Sequence, residues 1–148
     1  HAFFGADRPD LSRTERLELA EGLIRRWGVS GALPAESFLA ASDALSAFVA
    51  SRWPEATWCR ELPLRRRLPD GSVLSGTADL VLETADGLVV VDHKSFPGST
   101  AESLARAATH AGQLAAYAQT VSEAWGRPVL GTFIHLPIGG IVVPVVVS

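Results

Sequence analysis

The sequence is poor in sulfur: it has one cysteine, Cys59, and no methionine among its 148 residues. A single cysteine excludes an internal disulfide and favours a reducing compartment. No run of about 18 apolar residues is present, so no membrane span is predicted, and no signal peptide is recognisable. We therefore expect a cytoplasmic protein without a membrane partner.

The sequence also lacks an excess of positive charge, since its formal net charge is −3. A nucleic-acid partner would therefore have to be held by a local basic patch and not by the overall field. There is no Walker A pattern, so ATP hydrolysis is not expected. Cys59 has no histidine close to it in sequence, and Ser95 lacks a Gly-x-Ser-x-Gly elbow, which together disfavour a nucleophilic triad.

What is present suits one globular domain over residues 1–148, because 47% of the residues are hydrophobic and 20% are charged. The chain starts with "HAFF" and finishes with "VVPVVVS", and neither end has the character of a natural terminus. Together with the missing methionine, these ends predict that the chain is a piece of a larger protein.

Hydrophobic periodicity and turn signals predict the element order ααβββαββ. The predicted helices run from a capping box of Ser12 and Glu15 to Gly28, between Pro34 and Pro54, and from Thr100 to Gly126. The predicted strands are residues 57–68, 72–84 and 88–94, then "PVLGTFIHLP" and "GIVVPVVVS". Asp-Gly turns between the first three strands indicate an antiparallel meander. The fold class is therefore α/β, with a central mixed sheet flanked by helices.

Polar residues end the third strand, "VVVDHKS", after a run of three valines. Alternation along a strand places Val90, Asp92 and Lys94 on one face and His93 on the other. Asp79 lies on the neighbouring strand, where it could stand near Asp92. Two carboxylates and an ammonium group suit Mg²⁺ or Mn²⁺, with the carbonyl of His93 as a further ligand. The lysine could then position a water molecule or offset charge on a phosphoryl transition state.

The simpler interpretation of Asp92 and Lys94 is a surface ion pair worth about 0–1 kcal/mol. Two features favour chemistry over this alternative. Gly76 and Ala78 keep the chain small just before Asp79, which allows the close approach of a cation or a phosphate. The apolar flanks of both strands would also hold the two aspartates on a rigid frame.

The stretch "GTADLVLETADGLVVVDHKSFPG", followed by "AGQLAAYAQTV", resembles the RecB/AddA-type nuclease domain of the PD-(D/E)XK superfamily. The family pattern is a Gly-x-x-Asp strand, an Asp-x-Lys strand and a helix with Gln and Tyr. It matches Gly76 and Asp79, Asp92 and Lys94, and Gln113 and Tyr117. The resemblance covers nearly the whole chain and implies an αβββαβ restriction-endonuclease-like core.

The resemblance implies roles for these residues and for the first residue of the chain. Asp79, Asp92, the His93 carbonyl and His1 are expected to hold the metal, and Lys94 to orient the attacking water. Gln113 and Tyr117 share a helix face and are expected to contact DNA or steady the lysine, and Ser95 could bind a phosphate. His1 would be the last part of a helical metal-binding motif; its alternative origin, a purification tag, is disfavoured because "AFF" suits a packed helix.

The function implied is metal-dependent exonucleolytic hydrolysis of single-stranded DNA in recombination and double-strand-break repair. The chain would be the C-terminal nuclease domain of a UvrD/REP-like helicase-nuclease, with the helicase domain and a further subunit as partners. One alternative is an inactive DNA-binding or subunit-docking module of the same fold. A dimeric resolvase of branched DNA is another.

Four further residues or groups are secondary candidates, and most of them have a simpler structural explanation. The cluster "LRRRL" at residues 64–68 could follow phosphates or form an ordinary edge strand. His110 could share the face of Gln113 or be an exposed helical histidine, and His135 is expected to be structural. Glu61 is a secondary candidate, because the resemblance implies a glutamate behind the site that could orient the lysine.

Overall fold

The computed structural model describes residues 1–28, 34–95, 101–102, 105–106 and 109–147. The helices are α1 (Ala2–Ala6), α2 (Arg13–Arg26), α3 (Ala35–Arg52) and α4 (Ala111–Trp125). The strands are β1 (Thr57–Arg67), β2 (Val73–Glu83), β3 (Leu88–His93), β4 (Val129–Leu136) and β5 (Ile141–Pro144). The predicted α/β class and mixed sheet flanked by helices are confirmed.

The five strands form one sheet in the order β1-β2-β3-β4-β5. β1, β2 and β3 are antiparallel neighbours, so the predicted meander is confirmed. β3 and β4 are parallel, and α4 provides the crossover between them. All six residues of β3 are buried, as expected for a strand with a neighbour on each side and a helix on each face.

Two apolar clusters fill the space between the sheet and the helices. Val81, Val90 and Ile134 pack beneath α4 through Leu114 and Val121. Leu80, Leu82, Val89 and Val91 pack on the opposite face of the sheet against Leu45 and Val49 of α3. The alternation along β3 therefore divides its side chains between the two helix layers, and it fixes which face each later residue of the strand can reach.

Helix α2 begins and ends as the sequence predicts. Ser12 accepts a hydrogen bond from the amide of Glu15, and the Glu15 carboxylate accepts one from the amide of Ser12, which completes the capping box. Gly28 has a φ of 65° just after the helix, and this left-handed conformation is the reason for glycine there.

The helices of the structure differ from the predicted ones in two respects. A short helix, α1, precedes those predicted, because Phe3 and Phe4 bury their rings against α2 and α3. The predicted helix from Thr100 does not run unbroken: α4 starts after His110, and Thr109 instead closes a turn onto the carbonyl of Arg106 through both its amide and its hydroxyl. The predicted Thr100 cap lies outside the described residues.

The third and the last strand are also shorter in the structure than the sequence predicts. Lys94 follows β3 and is not part of it, although its amide still donates to the carbonyl of His135 at 2.9 Å. The last strand ends at Pro144, although the amide of Val145 still donates to the carbonyl of Thr132 at 2.9 Å.

A buried charge network joins α1, α2 and α3. Asp7, at the end of α1, accepts two hydrogen bonds from Arg16 at 2.9 and 2.8 Å. Ser42 of α3 donates to the same carboxylate at 2.6 Å, and Arg16 also reaches Asp43 at 2.7 Å. The Asp7 side chain is only 6% exposed, so its charge depends on these partners. The network holds α1, and therefore His1, against the rest of the domain.

Replacing Asp7 with alanine should lower the free energy of unfolding by about 3 kcal/mol, because Arg16 then keeps a largely buried charge without its main partner. Urea denaturation of the two proteins measures this difference. The control is Glu36→Ala, which removes the exposed Arg13–Glu36 pair between α2 and α3 and should cost less than about 1 kcal/mol. Equal losses in both variants would contradict a structural role for the network.

Candidate active site

The ladder between β2 and β3 stops at the pair Leu80–Val91. Beyond that point the amide of His93 donates instead to Oδ2 of Asp79, at 2.7 Å. The Asp79 carboxylate thus takes the place of a backbone acceptor at the end of β3. This hydrogen bond brings a side chain of β2 to the end of the strand that carries Asp92.

A reversal of side-chain alternation explains how Asp79 reaches this position. Cys59 and Val81 face α4, and so do Leu62 and Ala78, although the two residues on each strand are three positions apart and strict alternation would put them on opposite faces. Between these pairs, Glu61 and Asp79 are left out of the β1–β2 pairing. Glu61 has a φ of 52°, a conformation that costs a non-glycine residue about 1 kcal/mol or more. The irregularity releases Asp79 from the ladder.

Asp92 is 4% exposed, and Lys94 Nζ lies 2.7 Å from its Oδ2. The two groups form an ion pair, and the buried Oδ2 has no further partner among the residues described. Burial raises the pKa of the Asp92 carboxyl, while the Lys94 ammonium acts in the opposite direction and Asp79 adds to the increase. The group is therefore a carboxylate with unused capacity for a cation.

His1 lies beside the other aspartate, with its Nδ1 3.5 Å from Asp79 Oδ2. Its interaction with Asp79 raises the pKa of His1 in spite of partial burial. Burial acts to raise the pKa of Asp79, but His1 and the His93 amide outweigh it, and the net shift is downward. Two carboxylates are therefore matched by two groups that can carry positive charge, Lys94 and His1.

The imidazole of His93 points away from these carboxylates. It packs against Phe4 and His135, with ring centroids 5.1 and 5.0 Å away, and its Nδ1 is 3.0 Å from Nδ1 of His135. Burial lowers the pKa of His93 to about 3 and that of His135 to about 4. Both rings are therefore neutral at pH 7. Only the backbone of His93 faces the site, and His135 has the structural environment that was expected.

Gln113 and Tyr117 are adjacent on α4, as their spacing requires. Gln113 Nε2 donates to the Tyr117 hydroxyl at 3.2 Å. The Tyr117 ring is 8% exposed and belongs to the core beneath α4. A Cβ atom at Gly76 would overlap its hydroxyl, so the small residue makes room for Tyr117. Among the described residues no hydrogen bond joins this pair to Lys94.

Glu61 is closer to the site than the sequence indicated. It stands opposite Asp79 between the paired positions of β1 and β2, and its side chain lies so close to Gly5 of α1 that a Cβ there would be 2.7 Å from Oε1. Burial and the charge of Asp79 raise the pKa of Glu61. Its contacts are with α1 and Asp79, so the expected role in orienting Lys94 stays a prediction.

The other candidates lie outside this cluster of carboxylates. Ser95 is exposed and follows Lys94 directly. Arg66 pairs with Glu123 of α4 at 2.8 Å, and β1 is an edge strand, as the ordinary explanation of the arginine cluster required. His110 is the residue before α4 and not part of its helical face.

The donors at this site are chemically suited to a hard divalent cation, since carboxylate oxygens and one imidazole are ligands for Mg²⁺ and Mn²⁺. The buried Oδ2 of Asp92, which has Lys94 as its partner among the described residues, supports this fit. In the part of the chain that the structure describes, however, no three His, Cys, Asp or Glu side chains are already grouped around a common point. Lys94 and His1 instead lie against the carboxylates that a metal would contact.

Comparison with known families identifies the domain. The model of the PD-(D/E)XK nuclease superfamily matches residues 2–143, and the chain belongs to this superfamily. No curated protein matches the chain. The predicted superfamily and its restriction-endonuclease-like fold are confirmed, whereas the RecB/AddA subtype stays a prediction. No helix among the described residues is long and apolar enough to cross a membrane.

Replacing Gly76 with alanine should lower the free energy of unfolding by about 1–3 kcal/mol, because the new methyl group overlaps Tyr117. Adding Tyr117→Phe should recover part of this loss. The control is Gly112→Ala in α4, where a Cβ has open space and should stabilise the helix by up to about 1 kcal/mol. Chemical denaturation measures all four proteins, and a harmless Gly76→Ala would contradict the packing described.

Proposed function

We propose that this member of a nuclease superfamily is a metal-dependent deoxyribonuclease that hydrolyses phosphodiester bonds in single-stranded DNA. The observation that supports the proposal most is the buried Asp92 carboxylate, whose Oδ2 has the Lys94 ammonium as its partner among the described residues. Asp79 and His1 stand next to it across the end of β3.

Electrostatics favour this proposal over a module that only binds DNA. Two carboxylates repel a phosphate chain unless a cation lies between them. Burying Asp92 also has a cost in stability, since its raised pKa shows that the site disfavours the charged form. A surface for DNA binding alone gains nothing from either feature. In a hydrolytic site the two carboxylates have a use, because they hold the cation that offsets charge on the phosphate. Burial of Asp92 keeps one of them in a fixed position.

Asp79, Asp92, His1 and the His93 carbonyl would hold Mg²⁺ or Mn²⁺. When bound, such an ion supplies positive charge to the phosphate oxygens and lowers the pKa of a coordinated water. His1 must be neutral to act as a ligand, so it has to give up the proton that Asp79 favours. The end of β3 and the irregularity of β2 at Asp79 keep the two carboxylates in place before substrate arrives.

Lys94 is proposed to be the catalytic cation of the protein. Its ammonium group can orient the attacking water and offset the charge that develops on the phosphoryl oxygens. Ser95, Gln113 and Tyr117 are proposed to contact the DNA strand. For Tyr117 only the hydroxyl is suited to this, because its ring is part of the core.

The finer assignment is supported by the likeness of the motifs to RecB/AddA-type nucleases. It comprises exonucleolytic action, a role in recombination and double-strand-break repair, a helicase domain in the same natural chain and a further subunit. An inactive binding or docking module is the rival function. The two differ in one measurable property, which is hydrolysis that depends on metal and on Asp92.

Asp92→Asn should reduce cleavage of a labelled single-stranded oligonucleotide at least 100-fold in Mg²⁺ or Mn²⁺, because a main metal ligand loses its charge. The wild-type protein should be inactive in EDTA. Asp86→Asn is the matched control, because Asp86 is exposed in the turn at the opposite end of the β2–β3 hairpin. This variant should cleave at the wild-type rate. Equal activity of the two variants, or no metal-dependent cleavage by the wild-type chain, would exclude the proposed site.

Lys94→Met should separate catalysis from metal binding. Cleavage should fall at least about 100-fold because the transition state loses a cation. The increase in melting temperature caused by Mn²⁺ should persist or grow, since Asp92 no longer has a competing positive neighbour. Differential scanning fluorimetry with and without Mn²⁺ measures this. A variant that loses the metal effect together with the activity would assign Lys94 to maintaining the site and not to chemistry.

A further inference from the structure

A cavity of about 340 Å³ opens beside His1, the residue that contacts Asp79. It lies between α1, the first turns of α3 and the turn at residues 137–140 that joins β4 to β5. We call it the α3 cavity. Among nucleic-acid and ligand sites its volume is small, at the lower limit of about 300 Å³ for small-molecule pockets, so it suits one compact group.

The position of the α3 cavity ties it to the proposed reaction site. Two of its lining residues are His1 and Ser95. His1 contacts Asp79, and Ser95 directly follows Lys94 in the chain. A group bound in the cavity would therefore lie close to a phosphate held at Asp79 and Asp92.

The cavity is lined mainly by small and apolar residues, with two phenylalanines and two serines among them. Phe4 is held firmly, since its ring packs against His93 and His135 at 5.1 and 5.0 Å. Phe38 packs against Phe3 at 5.7 Å. Ser37 and Ser95 add hydroxyls that can donate or accept hydrogen bonds, and none of the described lining residues has a carboxylate. This combination suits a flat, partly apolar ring with polar edges and no charge of its own.

We propose that the α3 cavity binds the base of a nucleotide next to the phosphate that is hydrolysed. The proposal rests on the nuclease function proposed above and adds the feature that selects the substrate. Aromatic side chains stack on any base, so the cavity would accept all four bases with little sequence preference. A base in a duplex would first have to leave its stack, which has an energetic cost. Single strands are therefore the preferred substrate.

The test is Ala40→Trp, which places a large side chain at the cavity without disturbing the core. Ala40 is an exposed residue of α3 that lines the cavity. Ala47→Trp is the matched control, because Ala47 is exposed on the same helix and faces the same way two turns further on. Both variants are made in the wild-type chain and in the Asp92→Asn chain, and equal melting temperatures establish that both fold.

Binding is measured in EDTA with the Asp92→Asn chain, so that no hydrolysis is needed. The probe is a short single-stranded oligonucleotide in which one 2-aminopurine, or one abasic site, is moved along the strand. Ala40→Trp should weaken binding of the intact strand about tenfold or more, as expected for the loss of one stacked base. One position of 2-aminopurine should be quenched on binding, and Ala40→Trp but not Ala47→Trp should abolish the quenching. The abasic penalty at that position should disappear in Ala40→Trp.

The outcomes distinguish this proposal from the nuclease function. Equal affinities of Ala40→Trp and Ala47→Trp, or an abasic scan with no sensitive position, would overturn the α3 cavity as a base site. Cleavage by the wild-type chain would leave the nuclease function standing in that case. Conversely, a selective binding loss in Ala40→Trp without any metal-dependent cleavage would support the cavity and exclude the nuclease. If Ala40→Trp weakens binding of a duplex as much as binding of a single strand, this result would contradict the proposed selection of single strands.

Discussion

The hydrogen bond from the His93 amide to Asp79 is the interaction on which the site depends. A strand buried on both faces must satisfy every amide, because an unpaired one costs about as much as a lost hydrogen bond. β2 leaves the ladder before β3 ends, and the Asp79 side chain supplies the missing acceptor. The same bond that completes the backbone of β3 therefore fixes a carboxylate next to Asp92.

The charges around this bond are balanced within the protein. Lys94 lies against Asp92, and His1 against Asp79. Exposed pairs such as Arg13–Glu36 contribute little to stability, but removing one member of a buried set leaves the other unpaired at a high cost. The site therefore holds two carboxylates close together without a large net charge. A divalent cation that binds there has to compete with groups that the chain itself provides.

The sequence predicted the features that depend on neighbouring residues. The capping box of Ser12, the Asp-Gly turns and the alternation of "VVVDHKS" are local patterns, and they correctly indicated α2, the meander and the faces of β3. The features it missed arise from distant contacts. The left-handed Glu61 depends on how its neighbours Arg60 and Leu62 pair with β2 and on space at Gly5. The α3 cavity is formed by residues from the start, the middle and the end of the chain, and no local signal marks them.

Asp79 has two roles, as the acceptor for the His93 amide and as a proposed metal ligand. Selection for folding alone can preserve it, whereas other residues of the site depend on selection for activity. A related chain without hydrolytic activity would still need an acceptor for the His93 amide, so its fold would continue to favour Asp or Asn at this position. Among the described residues the Lys94 side chain pairs with the Asp92 carboxylate and has no comparable structural role, and the burial of Asp92 has a cost that only a function at this site would offset. The presence of Asp79 is therefore weak evidence that a member of this family is an active enzyme, and the presence of Lys94 is stronger evidence.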